Sequence, residues 1–297
     1  LPIFGRVLLP IALVALAGSL LDRFMRLDRQ SVGRVVFYLF TPALIFRGLY
    51  QIDMAYSIVG RTALIAASVT ITTGVLAWLL GTGMDRRQRA AITLTSGLSN
   101  NGNMGLPISL FAFGEAGLAL ATVYYVTNSF LGNTLGTFVA STGQASPMEA
   151  LRRTLQVPLF YAAIGGLSLG VMDVTLPLGL MRFVDIMADA AVPTMLVLLG
   201  MQLNTVPFTQ RQASLSIAMT LRLLLAPLLA TGLVWLMGTE GLERSVVILQ
   251  AGMPTAVIAT VLATEYDAAP RLVAATVVFT TLASMITLSI LLWTLQV

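Results

Sequence analysis

Between Ser99 and Pro107, an otherwise apolar run carries Asn100, Asn101 and Asn103, with Gly102 and Gly105 among them. Each asparagine amide supplies donors and an acceptor, so the cluster suits either a polar ligand or the ends of a broken helix. Proline removes an amide donor and crowds the preceding turn, and glycine permits dihedrals a helix does not use. A helix over this stretch should therefore open across residues 100 to 107. A second break is written at Gln250, Gly252, Pro254 and Thr255. Where two such breaks meet, the amino-terminal ends of the second half-helices bring amide donors and partial positive charge to one point, which favours a carboxylate. The candidate binding residues are Asn100, Asn101, Asn103, Gly105, Pro107, Gln250, Gly252, Pro254 and Thr255, joined by Thr41 and Asn128 from neighbouring spans. A structural reading stands beside this one, because small and polar residues in membrane helices also serve close packing and interhelical hydrogen bonds. Gly165, Gly166 and Gly170 read as marks of close helix contact.

The elements that must position these residues are membrane spans. Of 297 residues, 57% are hydrophobic and 10% charged, whereas a soluble domain carries charge at roughly a quarter of its positions. Lipid is the solvent this composition suits. With neither cysteine nor histidine, thiol, zinc and triad chemistry lose their usual groups, and no enzyme, metal site or cofactor is expected. Apolar runs at 3–21, 33–51, 60–82, 88–113, 116–140, 152–172, 178–202, 212–237, 242–264 and 268–295 give ten expected spans of about 20 residues or more. The first is read as a span rather than a signal peptide, for want of a plausible cleavage site.

The net charge of +4 comes from arginine, since the chain has no lysine. Loops after the odd-numbered spans hold Arg23, Arg26, Arg29, Arg34, Arg86, Arg87, Arg89, Arg152, Arg153, Arg211 and Arg271. The opposite side has Arg6, Arg47, Arg61, Arg182 and Arg244, and Arg222 lies within a span. Positive loops stay cytoplasmic, so both termini are expected on the non-cytoplasmic side. Topology accounts for the positive charge, and no nucleic-acid partner is expected.

The halves look related. Residues 94–127 can be laid on 248–281 without a gap, placing Leu118, Ala121, Thr122, Val123 and Thr127 on Leu272, Ala275, Thr276, Val277 and Thr281; Pro42 likewise answers Pro193. The expected all-α architecture is two five-helix repeats, 1–140 and 152–297, joined by a short cytoplasmic connector at 141–151. With five crossings each, the second repeat is inverted relative to the first, and its interrupted ninth span answers the fourth.

Acidic groups inside a membrane are functional suspects. Asp185 and Asp189 lie one helical turn apart near Arg182, which supports either a snorkelling role or, for Asp189, proton carriage. Glu265 with Asp267 after the ninth span, and Glu115 after the fourth, are either ion-coupling groups or loop charges. Proton coupling, sodium coupling and uniport all stay open.

Several stretches together resemble the auxin efflux carrier family, in particular the prokaryotic relatives of the plant carriers. They are Phe40 to Phe46 around Pro42, Asn100 to Pro107, Phe113 to Ala121, Ala191 to Gly200, Met253 to Val257 and Ala263 to Tyr266. The resemblance implies a fold like that of bile acid sodium symporters. Helices 1, 2, 6 and 7 would form a scaffold and a homodimer contact, and helices 3–5 and 8–10 a transport domain containing crossed, discontinuous helices 4 and 9. It also implies alternating access, an organic anion such as an auxin-like acid or a small mono- or dicarboxylate, and a place in the plasma (inner) membrane of a prokaryote. By similarity to the plant carriers, Asn100, seven residues before Pro107, would contact the substrate carboxylate. The long cytoplasmic loop of many plant members is missing, so loop phosphorylation is not carried over. Two alternatives remain, a sodium-coupled organic anion symporter and a membrane sensor that binds in the same pocket but moves nothing.

Overall fold

A computed structural model describes residues 4–52, 54–141, 146–204 and 212–295. Arg211 and residues 142–145 of the expected connector lie outside the described residues. Among the described residues all regular elements are helical, and seven helices are long and apolar enough to cross a membrane. These are α1 (Gly5–Met25), α2 (Arg29–Tyr50), α3 (Tyr56–Leu80), α5 (Asn101–Ala140), α8 (Leu178–Leu203), α9 (Gln212–Leu236) and α12 (Pro270–Thr294). Shorter helices lie between them: α4 (Arg86–Gly97), α6 (Pro147–Leu155), α7 (Pro158–Val171), α10 (Gly241–Ala251) and α11 (Ile258–Glu265).

The difference from ten expected rods arises at three places, the first being the sixth expected span, 152–172, where α6 ends at Leu155 and the 14-residue α7 starts afresh at Pro158. The fourth and ninth expected spans are each two short helices, α4 with the start of α5, and α10 with α11. The 40-residue α5 bends at Gly114, whose φ of 68° and ψ of −163° no residue with a Cβ adopts comfortably. That bend falls between the fourth and fifth expected spans.

Proline shapes the rods. Wide π-helical turns at Phe4–Leu8, Val36–Phe40, Asn101–Gly105 and Leu221–Leu225 each end two residues before a proline: Pro10, Pro42, Pro107 and Pro227. A proline ring crowds the carbonyl one turn earlier and offers it no hydrogen, and widening that turn relieves both defects. Pro193 sits inside α8 without such a turn.

Packing depends on residues that lack a Cβ. A Cβ at Gly18 would strike the backbone of Val197, and one at Gly200 the carbonyl of Ala15, so α1 and α8 touch backbone to backbone. In the same way Gly166 and Gly170 of α7 lie against the carbonyls of Phe46 and Tyr50 in α2, at 2.6 and 2.7 Å from where a Cβ would stand. A second group forms as α3 packs on α4 and α5, α10 on α5 and α9, and α12 on α4, α9 and α11. One central cluster, including Ile11, Leu44, Met104, Leu118, Met195, Leu249 and Leu288, joins the two groups. Outward faces are apolar, as lipid requires: Leu13, Ile164, Leu228 and Ile286 are exposed. Trp235 and Trp293 stand exposed near helix ends, where amphipathic rings settle at headgroup level.

Candidate functional site

The two interrupted segments touch at their breaks. Asn100 N donates to Pro254 O at 2.7 Å and Ala256 N to Leu98 O at 2.9 Å, which pairs Ser99 with Thr255 as a short antiparallel bridge. Two main-chain N–H groups freed by the breaks are thus satisfied across the seam, and Thr255 N donates to Thr280 Oγ1 at 3.2 Å.

Side chains fasten this seam. Asn101 is fully buried; its Nδ2 donates to Gln250 O at 2.8 Å and to Gln250 Oε1 at 2.7 Å. Its Oδ1 accepts from Ser99 Oγ at 2.5 Å. Gln250 Nε2 continues to Ser109 Oγ at 2.9 Å, and Thr255 Oγ1 donates to Thr95 O at 2.8 Å. A Cβ at Gly105 would collide with Gln250 Oε1, so a larger residue there would push the glutamine amide from the place where it meets Asn101 and Ser109. Pro107 is buried just after the wide turn at Asn101–Gly105, which relieves the loss of its N–H, and Gly252 caps the end of α10.

The break is narrower than the sequence suggests. Chain leaves the helical path only over residues 98–100, since Asn101–Gly105 winds as a wide turn directly into the rest of α5. On the other side the departure spans residues 252–257.

Arg222 is the group sequence reasoning passed over. It is fully buried, and the wide turn at Leu221–Leu225 directs it to the ends of two helices. Nη1 donates to Ser96 O at 3.1 Å and Gly97 O at 3.4 Å, and Nη2 donates to Ala251 O. These carbonyls close α4 and α10. A lone cation within a span was the available signal.

Beside the seam lies a cavity of about 220 Å³ lined by Thr41, Asn100, Asn103 and Asn128, together with Tyr125, Ser129, Asn133 and Gln202. Ala256, Val257 and Ile258, at the amino-terminal end of α11, complete one wall, and Gly102 at the start of α5 another. Asn128 is held by Thr70, to whose Oγ1 its Nδ2 donates at 2.8 Å. Two buried polar atoms of the lining, Asn100 Nδ2 and Gln202 Oε1, have no hydrogen-bond partner among the described residues. The structure therefore divides the candidate residues. Thr41, Asn100, Asn103 and Asn128 line the cavity, whereas Asn101, Gly105, Gln250 and Thr255 build the seam behind it.

A second cavity, of about 390 Å³, lies toward the other end of α2 and α8 and is lined by Arg47, Gln51, Glu115 and Asp185. Arg47 holds Asp189 at 2.6 Å and Asp185 at 3.9 Å. Asp189, with 71% of its side chain exposed, is on the surface. Glu265 is exposed at the end of α11 and does not line the first cavity.

A family of proteins described as membrane transport proteins matches residues 6–150 and 144–292. The chain belongs to this auxin efflux carrier-like family. It is a multi-pass membrane transporter and not an enzyme. Among relatives, it is 29% identical over 267 residues to an uncharacterized transporter of Methanothermobacter thermautotrophicus, covering 88% of this chain and 87% of that one. An uncharacterized transporter of Methanocaldococcus jannaschii is 25% identical over 301 residues, 97% of this chain and 98% of its own. A protein of Rhizobium meliloti named "Putative malonate transporter" is 25% identical over 312 residues, 100% of this chain and 94% of its own.

Proposed function

We propose that this member of the family is a secondary carrier for a small organic anion, bound through a carboxylate in the cavity beside the seam. The single observation that carries the reading is that two interrupted spans bond to one another at the wall of that cavity, with Asn100 Nδ2, which has no partner among the described residues, buried in its lining. The amino-terminal ends of α5 and α11 supply amides and partial positive charge there, while Asn103, Asn128 and Thr41 supply neutral hydrogen-bonding groups. The relative named for malonate supports a mono- or dicarboxylate as the class.

On this reading the chain makes ten passes in two inverted halves, 1–140 and 152–297, with the fourth and ninth crossing near the midplane. The group α1, α2, α7 and α8 is a scaffold that can also pair two copies, and the remaining helices move against it. Arginine distribution puts both termini outside a prokaryotic plasma membrane, so the 220 Å³ cavity opens to the cytoplasm and the 390 Å³ cavity faces outward. Both cavities run along α2 and α8, the geometry alternating access needs.

Purified protein in liposomes, offered labelled malonate and related mono- and dicarboxylates, tests this. Accumulation is expected, with Asn100→Ala and Asn103→Ala each weakening it while leaving insertion unchanged. Binding without flux would identify a sensor, and unaltered uptake by both variants would remove the carboxylate site from this cavity.

A further inference from the structure

We infer that Arg222 is a built-in cation, its tethered guanidinium filling the position at the paired breaks where a coupling metal ion would otherwise sit, so that the carrier works without sodium. The inference rests on the carrier reading above, but its decisive measurement does not. Arg222 is fully buried, yet none of the ion pairs among the described residues includes it. Its partners are main-chain carbonyls of Ser96, Gly97 and Ala251. These terminate α4, of 12 residues, and α10, of 11. A helix carboxyl end behaves as roughly −0.5 of an elementary charge, so two of them converging offset about one positive charge. Carbonyls at half-helix carboxyl ends are also the donors with which broken-helix carriers hold sodium. Here guanidinium N–H groups take those oxygens. Ser96, whose carbonyl takes one of these bonds, also carries a buried Oγ without a hydrogen-bond partner among the described residues, and the buried Tyr124 hydroxyl lacks one as well. Removing the guanidinium would free the three carbonyls of Ser96, Gly97 and Ala251 as oxygen ligands for a small cation.

The test is the melting midpoint of the purified full chain in sodium chloride and in choline chloride of equal ionic strength. The wild-type midpoint is expected to be the same in both. Arg222→Ala should melt roughly 5 °C or more lower in choline and recover part of that loss in sodium or on addition of methylguanidinium. Arg222→Lys should lie between. A wild-type midpoint raised by sodium would overturn the inference, as would an Arg222→Ala loss that neither cation restores. Should Arg222→Ala yield no folded protein, Arg222→Lys and Arg222→Gln decide by folded yield: a clear advantage for lysine supports the built-in charge, and equal yields overturn it. Failure of the carrier reading would appear separately, as no carboxylate uptake by wild-type vesicles, and would leave the melting comparison standing.

Discussion

Replacing Asn101 and Asn103 by alanine, one at a time, separates the seam from the cavity. Asn101 Nδ2 is shared between two acceptors of Gln250, and Asn101 Oδ1 takes the Ser99 hydroxyl. Asn101→Ala therefore strands Gln250 Oε1 and Ser99 Oγ, both buried, while Gln250 O keeps the Met253 N–H at 3.3 Å. Interhelical hydrogen bonds in membranes average about 0.6 kcal/mol and reach about 1.7, so losing the two to Gln250 should cost about 1–3 kcal/mol. That is about a five- to 150-fold loss in the folded to unfolded ratio. Asn103 lines the cavity with no hydrogen bond in the seam, and its truncation should shift stability by less than about 0.5 kcal/mol. The assay is reversible unfolding in mixed micelles, paired with ligand-induced stabilisation by a carboxylate that the wild type recognises. Asn101→Ala should lower the unfolding free energy and keep the ligand increment; Asn103→Ala should do the reverse. The double variant Asn101→Ala, Gln250→Ala should cost less than the two singles summed, because each already breaks the other's bonds. Equal stability of Asn101→Ala and wild type, or a larger stability loss for Asn103→Ala, would refute the division of the asparagines.

Gly200→Ala sets a methyl group against the Ala15 carbonyl and should cost about 1–3 kcal/mol, while Gly60→Ala, which meets nothing within 4 Å, should be neutral or mildly stabilising; melting midpoints of both variants check the contrast. Gly114→Ala imposes a backbone shape that only glycine tolerates and should lower stability by about 1–3 kcal/mol, read in the same melting experiment. Asp189 is exposed and paired with Arg47, so Asp189→Asn should move stability by less than about 1 kcal/mol and leave the pH dependence of uptake as in wild type; a flattened pH profile would restore it as a proton carrier.

Much of this was written in the sequence where chemistry is carried by side-chain type. The paired breaks announce themselves through Pro107, Pro254 and the clustered asparagines, but the division of those asparagines was not legible, because Asn100 lies off the helical path and no helical period relates it to Asn103. The extent of opening was not legible, because proline after a widened turn does not require the helix to end: the same device at Pro10, Pro42 and Pro227 keeps those rods continuous. Gly114 was hidden for a different reason, since glycine is frequent in membrane helices and only its positive φ distinguishes a bend from a close contact. Arg222 illustrates the firmest limit. Its partners are the carbonyls of Ser96, Gly97 and Ala251, main-chain groups that every sequence possesses, so no residue type betrays the pairing.

The arrangement of helix ends bears on which charge the cavity prefers. Four ends converge: carboxyl ends of α4 and α10, and amino ends of α5 and α11. Left alone, two partial charges near −0.5 and two near +0.5 would nearly cancel, and the cavity would have little preference for an anion. Arg222 neutralises the carboxyl pair from behind, which leaves about one elementary positive charge uncompensated on the cavity side. On the proposed reading a single carboxylate balances that charge, without a lysine or arginine in the lining that would hold the ligand too tightly to release. It follows that a dicarboxylate should enter best as its monoanion. Uptake of malonate at fixed total concentration should then rise as pH falls toward its second ionisation, while a monocarboxylate, singly charged throughout, should show no such rise. A dianion carried as fast as the monoanion would contradict this account of the charge.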